Sequence, residues 1–287
     1  MSMVWTSLVS GLLLGCAYAG AAVGLSLAMG MARVFNLAHT ALGLTCGYLA
    51  YFLLTAVGID PLVTAGLLAP LMFLAGLALW PTLFRPTVRG VADPALSTSI
   101  LTLGLAIALE NLLSKIWTPN PRIITTPYSN QALNLLGLTA QGSLVVAAAL
   151  GLTLLLALYW FLNKTFLGLA IQAVAQEPDG ARLVGIRAEL VSMLVFALSV
   201  GTAAIGGVSL AMIYSFGPAS YFDWLLTVLL IVVVGGAGAI LGTLASALAV
   251  GLVLGLGGAL LPQAWNSLIL FGLLLVILLL RPYGLFK

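Results

Sequence analysis

The sequence predicts an all-α protein: a polytopic transmembrane helix bundle with about eight full spans and one broken or re-entrant helix near Gly235, Gly236 and Gly238. Two observations lead there. Apolar residues make up 62% of 287 positions and charged residues only 6%. Apolar runs also recur along the whole chain, many about as long as the roughly 20 residues a helix needs to cross a bilayer. A soluble domain carries roughly 25% charged residues, so lipid must be the main solvent. The whole chain, residues 1–287, reads as one transmembrane domain with a polar segment, residues 164–189, inside it.

The expected spans are residues 4–31, 36–57, 62–84, 96–117, 143–162, 190–214, 224–261 and 265–280. The first contains no Lys or Arg and lacks a basic leader, so it reads as a retained span rather than a secretory signal. The seventh is too long for one helix. Gly235, Gly236 and Gly238 lie inside it, and each glycine costs a helix interior about 1 kcal/mol against alanine.

Cations set the expected orientation. Arg85 and Arg89, then Lys164, Arg182 and Arg187, then Arg281 and Lys287 mark three segments that the positive-inside rule places in the cytoplasm. Three spans before Arg85 put the N-terminus outside, and residues 118–142 form an external loop holding Arg122. The parity to the C-terminus works only if residues 224–261 are split at the glycines, as a short re-entrant or broken helix followed by a full one. Irregular backbone at membrane depth must be covered by protein or line a cavity, so the break should face one or the other.

Glycines at four-residue spacing, Gly11/Gly15, Gly20/Gly24, Gly238/Gly242 and Gly251/Gly255, let helix backbones approach closely. They read first as packing within the subunit and second as a subunit interface.

Among polar residues, Asn36 and His39 stand at the cytoplasmic side of the second span, three apart and so on one helix face, fit for capping or interhelical hydrogen bonds. A single histidine makes no metal site. Glu110 lies in the fourth span, where ionisable residues are costly and often functional. Lys115 is near enough to pair with it, and lining of a path or proton coupling are the other readings. Cys16 and Cys46 sit in apolar runs and read as buried structural thiols.

Several classes are excluded. The net charge of +3 is thin and spread out, which is no nucleic-acid footprint. There is no His-Glu-x-x-His, no nucleophile elbow around Ser26 or Ser209, and no P-loop, since the lysines follow Ser114, Asn163 and Phe286. No catalytic or metal residue is expected, and any ATP-driven work must be done by another subunit.

The polar segment reads as a docking element. Pro178 starts a short helix, Asp179 suits its positive end, Arg182 and Leu183 follow, and Gly185 stops it. Ala181, Val184 and Ile186 are expected to face a groove on a partner, with Glu177 and the other charges at the rim.

Together these residues resemble the permeases of branched-chain amino acid ABC transporters, the LivH-like subunit more than its LivM-like companion. The N-terminal run carries the resemblance: Gly11, Gly15, Tyr18-Ala19, Gly24-Leu25, Leu27, Gly30 and Asn36-Leu37-Ala38-His39. Leu37 replaces the family's phenylalanine and Thr40 its final glycine. Ala173, Glu177, Ala181, Leu183 and Gly185-Ile186 fall in the order of the family's coupling loop. Val234-Gly235-Gly236-Ala237-Gly238 with Gly242 is similar to its glycine-rich break, with Ala239 where a hydroxyl is common, and residues 281–286 also match.

The resemblance implies an importer half-channel in a bacterial or archaeal plasma (inner) membrane. It binds no cofactor itself, and ATP and Mg are used by partner subunits. Its implied partners are a LivM-like second permease in a heterodimer, two cytoplasmic ABC ATPases docked on Glu177, Asp179, Ala181, Arg182, Leu183, Gly185 and Ile186, and an external substrate-binding protein. Tyr18, Asn36, His39, Glu110, Gly235, Gly236 and Gly238 are the candidates for lining the path. The cargo is expected to be a branched-chain or other hydrophobic amino acid. Rival readings are a permease for urea, short amides or small carboxylates, a stand-alone secondary transporter or channel that would need Glu110, and an intramembrane enzyme.

Overall fold

A computed structural model describes residues 2–88, 93–129, 131–135, 138–260 and, beyond these, 268, 269, 272, 276 and 279. The described chain is helical apart from one small hairpin. In order it forms α1 (Ser2–Gly30), α2 (His39–Val57), α3 (Pro61–Leu79), a π-helical turn (Trp80–Phe84), α4 (Arg85–Val88), α5 (Pro94–Trp117), β1 (Ala132–Leu135), β2 (Leu138–Gln141), α6 (Gly142–Lys164), α7 (Phe166–Gln176), α8 (Pro178–Leu183), α9 (Ala188–Ile213), α10 (Ser220–Gly235) and α11 (Ile240–Leu260).

Seven helices among the described residues are long and apolar enough to cross a membrane. They correspond to the first six expected spans and to the second half of the seventh. The eighth expected span, residues 265–280, and the cations Arg89, Arg281 and Lys287 lie largely or wholly outside the described residues.

Local chemistry explains the boundaries. Asp60 caps α3 by accepting from the Leu62 N–H at 2.8 Å, and Asp93 caps α5 by accepting from the Leu96 N–H at 3.0 Å. Each cap is followed at once by a proline, Pro61 or Pro94, whose missing N–H costs nothing there. The π-helical turn at Trp80–Phe84 carries Pro81, which cannot donate to the helix ladder.

Helices α1 and α9 form the centre of the bundle. α1 packs on α11, α6 and α9, while α9 also contacts α2 and α3. The four-spaced glycines do their work inside the chain. Gly11 and Gly15 of α1 face Gly251 and Ala247 of α11, and Gly20 faces Gly151 of α6. At the base of α3, Phe84 and Phe196 meet at a 45° tilt with ring centroids 4.1 Å apart, and Trp80 leans on Phe196 at 5.7 Å.

One end of the bundle carries α7, α8 and the α1–α2 linker. Two polar contacts close it: Arg85 pairs with Glu189 at 2.6 Å, and the Arg33 guanidinium donates to the Ala175 carbonyl at 3.3 Å. The other end carries the β1–β2 hairpin, where Tyr128 donates to Asp60 at 3.2 Å. The expected external loop thus contains an antiparallel hairpin, which its polar composition did not announce.

Candidate functional site

The glycine break sits where two irregular segments meet. α10 has 16 residues, about 24 Å of helix, and so falls short of a bilayer's hydrocarbon thickness of about 30 Å. Non-helical residues extend it at both ends. Phe216 exchanges both backbone hydrogen bonds with Arg122 at the hairpin end, at 2.8 and 2.9 Å, whereas Gly238 packs against Gly30 at the charged end. The chain therefore passes from one end of the bundle to the other through a helix too short to span alone.

Gly235 closes α10 hard against α11. A Cβ there would lie 2.5 Å from the Gly242 carbonyl oxygen. Gly236 (φ 82°) and Gly238 (φ 87°) take left-handed backbone that only glycine adopts freely. The Gly238 N–H donates to Ser26 Oγ at 3.0 Å, and Thr243 Oγ1 donates to the same oxygen at 3.0 Å. Ser26 and Thr243 are fully buried and were missed from the sequence, because single hydroxyls in apolar runs look like ordinary small residues. Residues Ala237, Gly238 and Gly242 also line a groove of about 580 Å³ with Asn163, Gln172 and Gln176. The break meets both a packed partner and a cavity.

Tyr18 is buried in α1, and its hydroxyl donates to that of Tyr214 at 3.4 Å. Asn36 does not share a helix face with His39. It lies before α2 and folds its Oδ1 onto the Ala38 N–H at 3.1 Å, while its carbonyl accepts from the His39 N–H. That is a turn, made by asparagine's habit of bonding its own backbone, and it corrects the expected start of the second span. His39 Nε2 lies 3.1 Å from the Ala21 carbonyl, so Nε2 carries the proton and Nδ1 is left without a partner. The histidine ring, Ser199 and Thr202 crowd the space over Gly24. Glu110 stands beside Tyr221 rather than in an ion pair with Lys115. Among the described residues no group of three or more His, Cys, Asp or Glu could hold a metal, and Cys16 and Cys46 are free, Cys46 buried.

In the polar segment α7 and α8 meet at Glu177. α8 starts at Pro178 and carries Asp179 in its first turn, where Arg182 pairs with it at 2.9 Å. Gly185 (φ 87°) ends the turn, and the Ile186 N–H reaches back to the Ala181 carbonyl at 3.0 Å. The expected partner-facing trio needs correcting. Ala181 is only 5% exposed, and Ile186 packs against the chain's own core, because a six-residue helix on a bundle must anchor one face inward. Of that trio Val184 does face outward, at 76% exposure, and Leu183 joins it at 90%, with Glu177, Asp179, Arg182 and Gly185 around them.

Comparison with known proteins adds an independent finding. The family described as the permease component of branched-chain amino acid transport systems matches residues 7–279. The chain is similar to the high-affinity branched-chain amino acid transport system permease protein BraD of Pseudomonas aeruginosa, at 26% identity over 96% of this chain and 94% of that one. It is similar to the LivH permeases of Salmonella typhimurium and Escherichia coli K12, at 27% and 28% identity over 96% of this chain and 92% of each. No solved structure matches it.

Proposed function

Because the chain belongs to the family of branched-chain amino acid transport permease components, we propose that it is the membrane-spanning subunit of an ATP-driven importer of branched-chain or other hydrophobic amino acids. It works in the plasma (inner) membrane with its N-terminus outside and its C-terminus in the cytoplasm. A LivM-like permease completes a heterodimer, a substrate-binding protein delivers cargo from outside, and two cytoplasmic ATPases use ATP and Mg to drive the cycle.

The observation that carries this reading is α8. Leu183 and Val184 stand out from the charged end at 90% and 76% exposure, an adjacent apolar pair that covering by a partner would stabilise. The buried Ala181 anchors the turn that carries them, and Gly185 ends it. A chain without a P-loop, carrying a short apolar turn at its charged end, offers an ATPase a surface to push on. α7 continues from α6 and contacts α9, so force on α8 reaches the bundle's central helix and rocks it.

The test is uptake of labelled leucine by the reconstituted complex. Leu183→Asp should keep the permease folded while uptake and ATPase recovery are lost. Unchanged ATP-dependent uptake with Leu183→Asp would remove α8 as the docking element.

A further inference from the structure

At the hairpin end Arg122 is a cation without an anion. Its Nη1 donates to the Tyr51 hydroxyl at 3.3 Å and its Nη2 to the Trp117 carbonyl at 3.0 Å, and its Cζ sits 5.4 Å from the Tyr51 ring centre. It takes part in no ion pair with any described residue. Its Nε is buried and unpartnered, and so is the hydroxyl of Tyr48, a residue with no exposed surface that lies within electrostatic reach of the guanidinium.

Aromatic rings enclose the place. Tyr48 packs on Trp117 at 5.3 Å and edge-on to Phe216 at 5.0 Å. Phe216 in turn leans on Trp224 at 6.4 Å. Guanidinium N–H groups and a phenol leave donors to spare, and only a neutral hydroxyl and a carbonyl accept from them. Buried donors of this kind are costly unless an acceptor arrives, and a planar guanidinium fits a carboxylate in two-pronged fashion.

We propose that Arg122 and Tyr48 form a receptor for the carboxylate of the transported amino acid, with Tyr51 as the neutral stand-in that holds the guanidinium between cargoes. The aromatic walls suit the cargo's apolar side chain. Arg122 also ties the α5 end, α2 and the α9–α10 linker together through Trp117, Tyr51 and Phe216. A carboxylate that draws the guanidinium away from these acceptors loosens the joint as it binds, so occupancy and opening are coupled. The proposal rests on the transport reading for its cargo class.

The experiment uses the full chain, purified with its partner permease and ATPases but without the binding protein, in nanodiscs. Binding of radiolabelled leucine is competed with 4-methylpentanoate, which keeps the carboxylate, and with leucinamide, which lacks it. The expected result is displacement by 4-methylpentanoate and not by leucinamide. Arg122→Gln should weaken binding roughly tenfold or more, as loss of a charge-assisted hydrogen bond does. Arg122→Lys should fall between, and Tyr48→Phe should weaken binding while leaving the fold and its melting intact. Equal competition by leucinamide, undiminished binding in Arg122→Gln, or no leucine binding to the wild-type complex would each overturn the receptor. ATP-driven uptake by the same complex with its binding protein restored reports on the transport reading separately.

Discussion

Gly30 and Gly238 touch backbone to backbone. A Cβ on Gly30 would overlap Gly238 itself, and the Gly238 N–H is meanwhile held by Ser26 one helical turn back along α1. The end of α1 and the glycine break therefore behave as one joint. Gly30→Leu should prevent correct assembly, because no flexible side chain is there to yield. Gly104, with no atom near the place of its missing Cβ, is the control, and Gly104→Ala should melt at or slightly above the wild-type temperature. The melting of detergent-solubilised protein checks both.

Gly236→Leu should also fail, but for backbone reasons. Its φ of 82° costs a residue with a Cβ about 1–3 kcal/mol. Gly236→Ala should lose stability too, because ψ of 121° with that φ lies outside the left-handed basin that L residues can visit. An Ala variant as stable as the wild type would show that backbone conformation is not what selects glycine there.

Ser26 links α1 to the break through two hydrogen bonds. Ser26→Ala leaves the Gly238 N–H without its partner, and the cost of an orphaned buried donor is about 1–3 kcal/mol. Chemical denaturation should show a loss of that order, and a change within error would mean that water replaces the hydroxyl.

Glu110→Gln should leave ATP-dependent uptake essentially unchanged. Glu110 is partly exposed and lies against Tyr221, an arrangement a glutamine amide can keep. Loss of uptake together with loss of pH dependence would return proton coupling to consideration.

In the polar segment, Ala181→Glu should unfold the α8 turn, since the side chain points into the core. Val184→Asp should leave melting unchanged and reduce ATPase recovery. Gly185→Glu should lower the melting temperature and reduce ATPase recovery, because its φ of 87° is strained for any side chain.

The first six spans and the second half of the seventh were legible because a chain this apolar cannot fold in water and its apolar runs mark the helices. The break was legible too, since three glycines in four residues serve no helix, and so were the ends of α8, written in Pro178 and Gly185. What stayed hidden depends on direction. Whether Ala181 or Leu183 points inward cannot be read from one and a half turns, where no periodicity accumulates. Asn36 was assigned to a helix because the apolar run around it does not mark where its turn ends. The Trp80–Phe84 π-turn and the Arg122–Phe216 bridge arise from long-range packing that local sequence does not encode.

The most direct test of the account is a gentle-detergent pull-down of the tagged chain from its native membrane, followed by mass spectrometry of the proteins that accompany it. The account predicts a P-loop ATPase and a second permease, with Leu183→Asp losing the ATPase and retaining the second permease. Recovery of the chain alone, moving cargo in proteoliposomes without ATP, would contradict it.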